Sequence, residues 1–402
     1  MFKLFHRSHF TSKRSFFRIQ KFGWKLMGFW LASDEVTRFQ LLFLLGNCME
    51  VLIYGIFQCW FIYVHQGNLV VQFDALTPFL TLIPTVLRLL ILVWHRNDLK
   101  YVLDYLENAF VNAREKREIE INARANQVSS IFLAVLVVLG FISLTFFTIS
   151  PVIRDFIRIR NGMGQIHDIP FKAIFLFNYN YSSVYEIVYF FSVYAGLVTM
   201  AAICAGEGLF FGLCSHISAQ FDIVSLRLKR LIEQEIDSHE TTMSFSRVQN
   251  DRLLDKLTEI VDMHNEAIHC CNILSKALWQ NILMHFACSS LIICLCCLMV
   301  LKSDGIERLN FFFYLCAYVQ QIFNYSISGN MLINASENIK NAAYDFHWYK
   351  CDVRIRKVIF MIMTRAQQKV NVKVPFFEVS LETFTWIIRL GGSFITLVIT
   401  FI

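Results

Sequence analysis

The chain has 402 residues, of which 56% are hydrophobic, 15% aromatic and only 17% charged, with a mean hydropathy of +0.48 and a net charge of +6. This composition excludes a soluble domain and marks a membrane protein. Forty phenylalanines against 16 glycines and 5 prolines favour helices over a β-barrel, and no basic run with interleaved aromatics points to nucleic acid.

The first 36 residues hold a short apolar core, WKLMGFWL, interrupted by Lys25 and followed by Asp34 and Glu35. That pattern fits an interfacial or re-entrant amphipathic helix in a cytosolic N-terminal segment, not a cleavable signal. Seven runs then reach the roughly 20 apolar residues that a helix needs to cross a hydrocarbon core. They cover about 37 to 63, 69 to 94, 127 to 150, 184 to 215, 278 to 301, 309 to 333 and 380 to 402. The expected architecture is an all-α, polytopic, single seven-helix domain over 1–402. The first six spans fill 37–333, a cytosolic region follows over 334–379, and 380–402 forms the last span. Seven Lys or Arg residues precede the first span and none lies in residues 64–68 after it, which puts the N-terminus in the cytosol and the C-terminus outside. The sequon Asn180-Tyr181-Ser182 is external in that orientation.

Cysteines such as Cys48, Cys204, Cys288 and Cys296 lie in apolar runs and read as small hydrophobes. His264, His269, Cys270 and Cys271 cluster without a metal-ligand spacing, and no phosphate loop or nucleophile elbow is present. The sequence therefore predicts neither an enzyme nor a metal or cofactor site. Glu50, Arg88 and Glu207 lie within spans and suggest a structural ion pair.

The outer halves of the spans are rich in Phe and Tyr, a composition that suits an apolar pocket for a small molecule better than an interfacial belt of Trp and Tyr. In the last span, Glu382, Thr385, Arg389, Ser393, Thr396 and Thr400 share one stripe of about 80° on a helix that turns 100° per residue. A polar stripe along a whole span predicts pore lining, with Leu397 and Phe401 beside it as a hydrophobic gate and Gly391–Gly392 as a place to bend.

The stretch AAYDFHWYKCDVRIRKVIFMIMTRAQQ (Ala342–Gln368) and the later PFFEVSLETF, followed by Gly392-Ser393-Phe394, resemble the C-terminal signature of insect odorant receptors. Tyr344, Trp348, Lys357, Met361, Arg365 and Ala366 stand at its first conserved positions, and Val379 to Phe384 at its second. The resemblance implies an odorant-specific tuning subunit of a nonselective cation channel. It would assemble as a tetramer with the shared odorant co-receptor, in the plasma membrane of olfactory neuron dendrites, surrounded by membrane lipid. It also places the ligand pocket in the outer half of the second, third, fourth and sixth spans, where the residues expected to line it are Phe73, Phe141, Thr145, Tyr189, Val193, Tyr194, Phe313 and Tyr318, and it sets Leu397, Thr400 and Phe401 at pore and gate positions beside Ser393 and Thr396 of the polar stripe. Two departures are Ser393-Phe394-Ile395 in place of Ser-Tyr-Phe, and Thr400 in place of a glutamine. A gustatory-type receptor channel is the alternative within the class. A G-protein-coupled receptor needs the opposite topology, and a transporter or membrane enzyme needs convergent acids or histidines.

Overall fold

The computed structural model describes residues 16–26, 37–113, 115–164, 166–179, 181–237, 247–346 and 348–401. The sequon residue Asn180 lies outside them. Ten helices follow one another: α1 Arg18–Leu26, α2 Arg38–Val64, α3 Leu69–Trp94, α4 Arg96–Asn112, α5 Lys116–Arg160, α6 Ser182–Asp237, α7 Arg247–Lys302, α8 Gly305–Tyr344, α9 Val353–Ala366 and α10 Leu381–Phe401. The fold is all-α with a seven-helix bundle, α2, α3, α5, α6, α7, α8 and α10 standing where the seven apolar runs predict spans. Among the described residues, α2, α3, α5, α6 and α7 are long and apolar enough to cross a membrane by themselves.

The reason α8 is less apolar is its position. It packs against α5, α6, α7, α9 and α10, and its Asn310, Gln321, Asn324, Ser326 and Ser328 are buried in protein. A helix shielded from lipid needs no continuous apolar surface.

Four helices are much longer than a bilayer requires. At a rise of 1.5 Å per residue, the 45 residues of α5 and the 56 of α6 reach roughly 68 and 84 Å, against a hydrocarbon thickness of about 30 Å. Most of the surplus gathers at one end with α1, α4 and α9. There Arg227 holds the buried Glu118 carboxylate through two bonds of 2.7 and 3.2 Å, tying α6 to α5. Tyr101 on α4 donates to Glu266 on α7 at 2.6 Å, and Arg354 on α9 reaches Asp251 on α7 at 3.1 Å. Asp352 caps α9 through the Val353 amide at 2.6 Å. Its carboxyl is held below the usual range by the hydrogen bond from Arg354.

The short strands β1 Lys373–Val374 and β2 Phe377–Glu378 pair antiparallel, Val374 opposite Phe377. Pro375 and Phe376 form the turn, and Phe376 takes a φ of 78° that a non-glycine residue rarely adopts. The hairpin is anchored to the bundle by Lys373 N donating to Ser275 Oγ (3.2 Å), and the residues leading into it by Val370 N donating to Ser336 Oγ (3.1 Å). It delivers the chain directly into α10.

The N-terminal helix, expected to be interfacial or re-entrant, packs its apolar face on α6. Phe16, Phe17, Gln20 and Trp24 are buried, and the Trp24 indole donates to the Ala205 carbonyl at 3.1 Å. Small residues on α6 make this docking feasible: a Cβ at Gly212 would stand 2.7 Å from the Phe17 ring. An apolar face finds a partner in α6 before it needs lipid.

Candidate functional site: a central cavity and an uncovered last helix

At the end of the bundle opposite the long extensions, the α5–α6 connection folds inward. Ile169, Ala173 and Phe175 are buried. Asp168 takes ion pairs from Arg154 (3.2 Å) and Lys172 (2.6 Å), while Arg154 also pairs with Glu307 at the start of α8. The Ile174 amide donates to the Phe57 carbonyl at 3.2 Å. The Tyr54 hydroxyl donates to the Phe171 carbonyl at 2.6 Å and lies 2.8 Å from the Ser192 hydroxyl, which therefore donates to it. Phe171 is thereby set against α6 at Gly196, where a Cβ would approach its ring to 2.8 Å.

Below Phe171 lies a cavity of about 90 Å³ walled by α2, α3, α5, α6 and α8. One side is aromatic: Phe147 sits 5.5 Å from Phe171 and 5.4 Å from Tyr314, and Tyr314 sits 5.1 Å from Tyr318. Two prolines interrupt α3, at 78 and 84, and each removes a backbone donor. A threonine stripe on the same helix satisfies its own polarity: Thr77 donates to Phe73 O (2.7 Å), Thr81 to Thr77 O (3.3 Å) and Thr85 to Thr81 O (2.9 Å). Thr81 also shares a hydrogen bond with the Tyr314 hydroxyl. Gln58 and Gln321, 1% and 4% exposed, line the same cavity with carboxamide oxygens that have no hydrogen-bond partner. A buried acceptor without a donor is costly, so these two groups offer a ligand hydroxyl or amine a ready partner.

Two turns further along α8, Tyr325 lies 4.9 Å from His285 and 5.9 Å from Phe286, and Phe286 lies 5.0 Å from Phe377 of β2. Arg88 and Glu207, expected as an ion pair, are both buried here with His285 between them: Arg88 Nη2 is 3.4 Å from His285 Nδ1, and Glu207 Oε1 is 3.8 Å from His285 Nε2. Glu50 is buried separately, its two oxygens without hydrogen-bond partners. Gly206 leaves the space through which Arg88 passes, since a Cβ there would stand 2.2 Å from Arg88 Cδ. At Gly329 a Cβ would meet the Val379 carbonyl at 2.0 Å. The helix that walls the cavity is thus in backbone contact with the segment that starts α10.

α10 packs against α7 and α8. Among its described side chains Ile387 and Gly391 are buried and Phe384 is half-buried, and a Cβ at Gly391 would touch Ile293 at 3.5 Å. These three lie about 140° to 160° around the helix from Arg389. On the Arg389 side, Glu382, Thr385, Arg389, Ser393 and Thr396 are all exposed. The Thr385 and Thr396 hydroxyls donate back to the carbonyls of Leu381 and Gly392, at 2.7 and 3.0 Å. The polar stripe therefore faces away from the chain's own bundle. The side chains of Leu397, Thr400 and Phe401 lie outside the described residues, although the helical backbone runs through Phe401.

The family model of the 7tm odorant receptors matches residues 68–391. The chain belongs to the insect odorant receptor family. Odorant receptor 24a of Drosophila melanogaster is 26% identical over 399 residues, covering 99% of each chain. Odorant receptor 22c of the same fly is 27% identical, covering 96% of this receptor and 97% of the other. These are odorant-specific receptors, not the shared co-receptor, and the family is one of receptors rather than enzymes. The olfactory receptor OR5 of Machilis hrabei has the same fold, with a TM-score of 0.80 at 15% identity over 96% of this chain and 97% of its own. Its structure in complex with eugenol gives 0.81 at 14% identity, over 98% and 100% of the two chains.

The receptor's geometry divides the pocket residues expected from sequence. Tyr318 lines the central cavity. Phe141 and Tyr194 line a second cavity between α1, α2, α5 and α6. Thr145 is exposed and bonds back to Phe141 O at 2.7 Å. Tyr189 donates to Thr148 O, Phe313 stacks on Phe146 at 4.8 Å, Phe73 packs against the core, and Val193 is half-buried without lining either cavity. Gln58, Thr81, Ser143, Phe147, Phe171 and Gln321 line the central cavity without belonging to the expected set. A signal for part of this set was present: Thr77, Thr81 and Thr85 recur at four-residue intervals in an otherwise apolar span. Phe171 carried no such signal, because its loop reads as solvent-facing.

Proposed function

We propose that the receptor is an odorant-gated subunit of a nonselective cation channel, assembled with co-receptor subunits around a shared pore. The observation that carries this reading is the uncovered polar face of α10. Its own chain holds the opposite face and leaves Glu382, Thr385, Arg389, Ser393 and Thr396 exposed, and polar groups in a membrane face water or protein rather than lipid. One such helix cannot enclose water, so several copies around an axis are required. Leu397 and Phe401 form the hydrophobic gate, and Thr400 lies beside them on the permeation path.

The ligand is a small organic odorant held in the central cavity, a reading supported by the eugenol complex of the Machilis receptor. Tyr314, Tyr318, Phe147 and Phe171 provide apolar contact, while Gln58 and Gln321 orient a hydrogen-bond donor. Occupancy shifts α8, and α8 moves the α10 entrance through the Gly329–Val379 contact. In the membrane the N-terminus is cytosolic, the long helical extensions form a cytosolic anchor, and the folded α5–α6 connection is external.

The test is expression with and without the co-receptor while recording odorant-evoked current with nucleotide-dependent signalling blocked. Current that persists under the block and requires both chains supports the proposal. Current abolished by the block, or an external N-terminal tag in intact cells, refutes it.

A further inference from the structure

A second cavity, larger than the first, lies between α1, α2, α5 and α6 with a volume of about 380 Å³. Phe43, Phe141 and Leu197 line it and are 39%, 51% and 41% exposed. They belong to spans whose uncovered surface meets hydrocarbon, so the mouth opens toward the bilayer. Its interior is apolar except for Gln20, Asn47 and Tyr194. Gln20 is 1% exposed with its carboxamide oxygen unpartnered, and the Tyr194 hydroxyl donates to Asn47 Oδ1 at 2.9 Å.

Met200 and Cys204 line both cavities. The partition includes a small thiol and an unbranched thioether with three rotatable bonds, which adapts its shape readily. Met200 rests on bare backbone at Gly140, where a Cβ would lie 3.3 Å from its Cγ. A path past Phe171 would have to release a loop held by the Tyr54 hydrogen bond and the Asp168 ion pairs. Rotating one methionine disturbs less structure than releasing that loop. An apolar solute also accumulates in hydrocarbon relative to water.

We infer that the second cavity is a lateral vestibule, through which membrane-dissolved apolar odorant reaches the central cavity as the Met200 side chain rotates. Gln20 and Tyr194 hold the polar end of the ligand in transit. The inference rests on the odorant-binding reading of the central cavity and adds the route to it.

Ala201 and Leu197 line the vestibule and not the central cavity. The receptor is expressed with its co-receptor, and current is recorded during rapid application and removal of an apolar odorant. Ala201→Phe fills the vestibule and is expected to lengthen onset and decay by the same several-fold factor. The half-maximal concentration stays unchanged, because a route scales both directions alike. Leu197→Ala widens the mouth and is expected to shorten both, so the test survives if the bulkier variant does not reach the surface. Unaltered kinetics in the surface-expressed variants overturn the vestibule, as does a shift in half-maximal concentration without a kinetic change. Absence of any odorant current from the unmodified receptor strikes the underlying function instead, and is thereby distinguishable.

Discussion

Replacing Gln321 or Gln58 by leucine tests what orients the ligand. Both side chains line the central cavity, both are at most 4% exposed, and each has a carboxamide oxygen with no hydrogen-bond partner. The desolvation cost of these oxygens is already present in the empty receptor, so a ligand hydroxyl that donates to one recovers about 1–3 kcal/mol. Leucine is close to isosteric and removes that term while keeping the wall. A primary alcohol should then lose about 1.4 kcal/mol, a tenfold rise in half-maximal concentration, whereas the alkane of equal length should hold its potency or gain slightly. The measurement is the ratio of half-maximal concentrations for the alcohol and the alkane, from odorant-evoked current in cells that also express the co-receptor. Taking the ratio cancels changes in expression and in gating. Parallel movement of both ligands in both variants would refute the assignment of these carboxamides as the orienting groups.

Three further substitutions probe the rest of the machinery. Gly329→Ala places a methyl group 2.0 Å from the Val379 carbonyl, a backbone atom that cannot rotate away, so the α8–α10 contact should be forced apart at about 3 kcal/mol; resting current normalised to surface protein should change, and an unchanged value would show that α10 does not depend on this contact. Glu118→Gln leaves Arg227 without its carboxylate and should cost about 2 kcal/mol, a discounted buried-pair value since Arg227 is 37% exposed, read as a lower melting temperature of detergent-solubilised receptor. Leu397→Ser should raise resting conductance by wetting the gate, and a normal leak at normal surface expression would count against a gate at that position.

Much of this receptor was legible in its sequence because the signals are local. Spans are set by runs of apolar residues, since a lipid solvent forces every backbone group into helical hydrogen bonds within the segment. All seven expected spans have a helix. The α10 stripe follows from the angular period of one helix, and the structure adds that Ile387 and Gly391, on the other side, are buried. The C-terminal signature ties this local pattern to the odorant receptor family.

What only the tertiary structure decided is how each helix is rotated about its axis and which neighbours it meets. Aromatic residues abound near one end of several spans, and composition does not tell a ring that fills a cavity from one that faces lipid. Tyr318 therefore lines the central cavity, while Phe141 and Tyr194 line the vestibule and Phe313 stacks on Phe146. Phe171 reaches the cavity because residues far apart in sequence, Tyr54 and Gly196, hold its loop and make room for it. α1 lies closely against α6 because Gly212 lets Phe17 approach. Periodicity along a chain fixes which residues share a face; which face meets protein, lipid or an open cavity is set by contacts between distant segments.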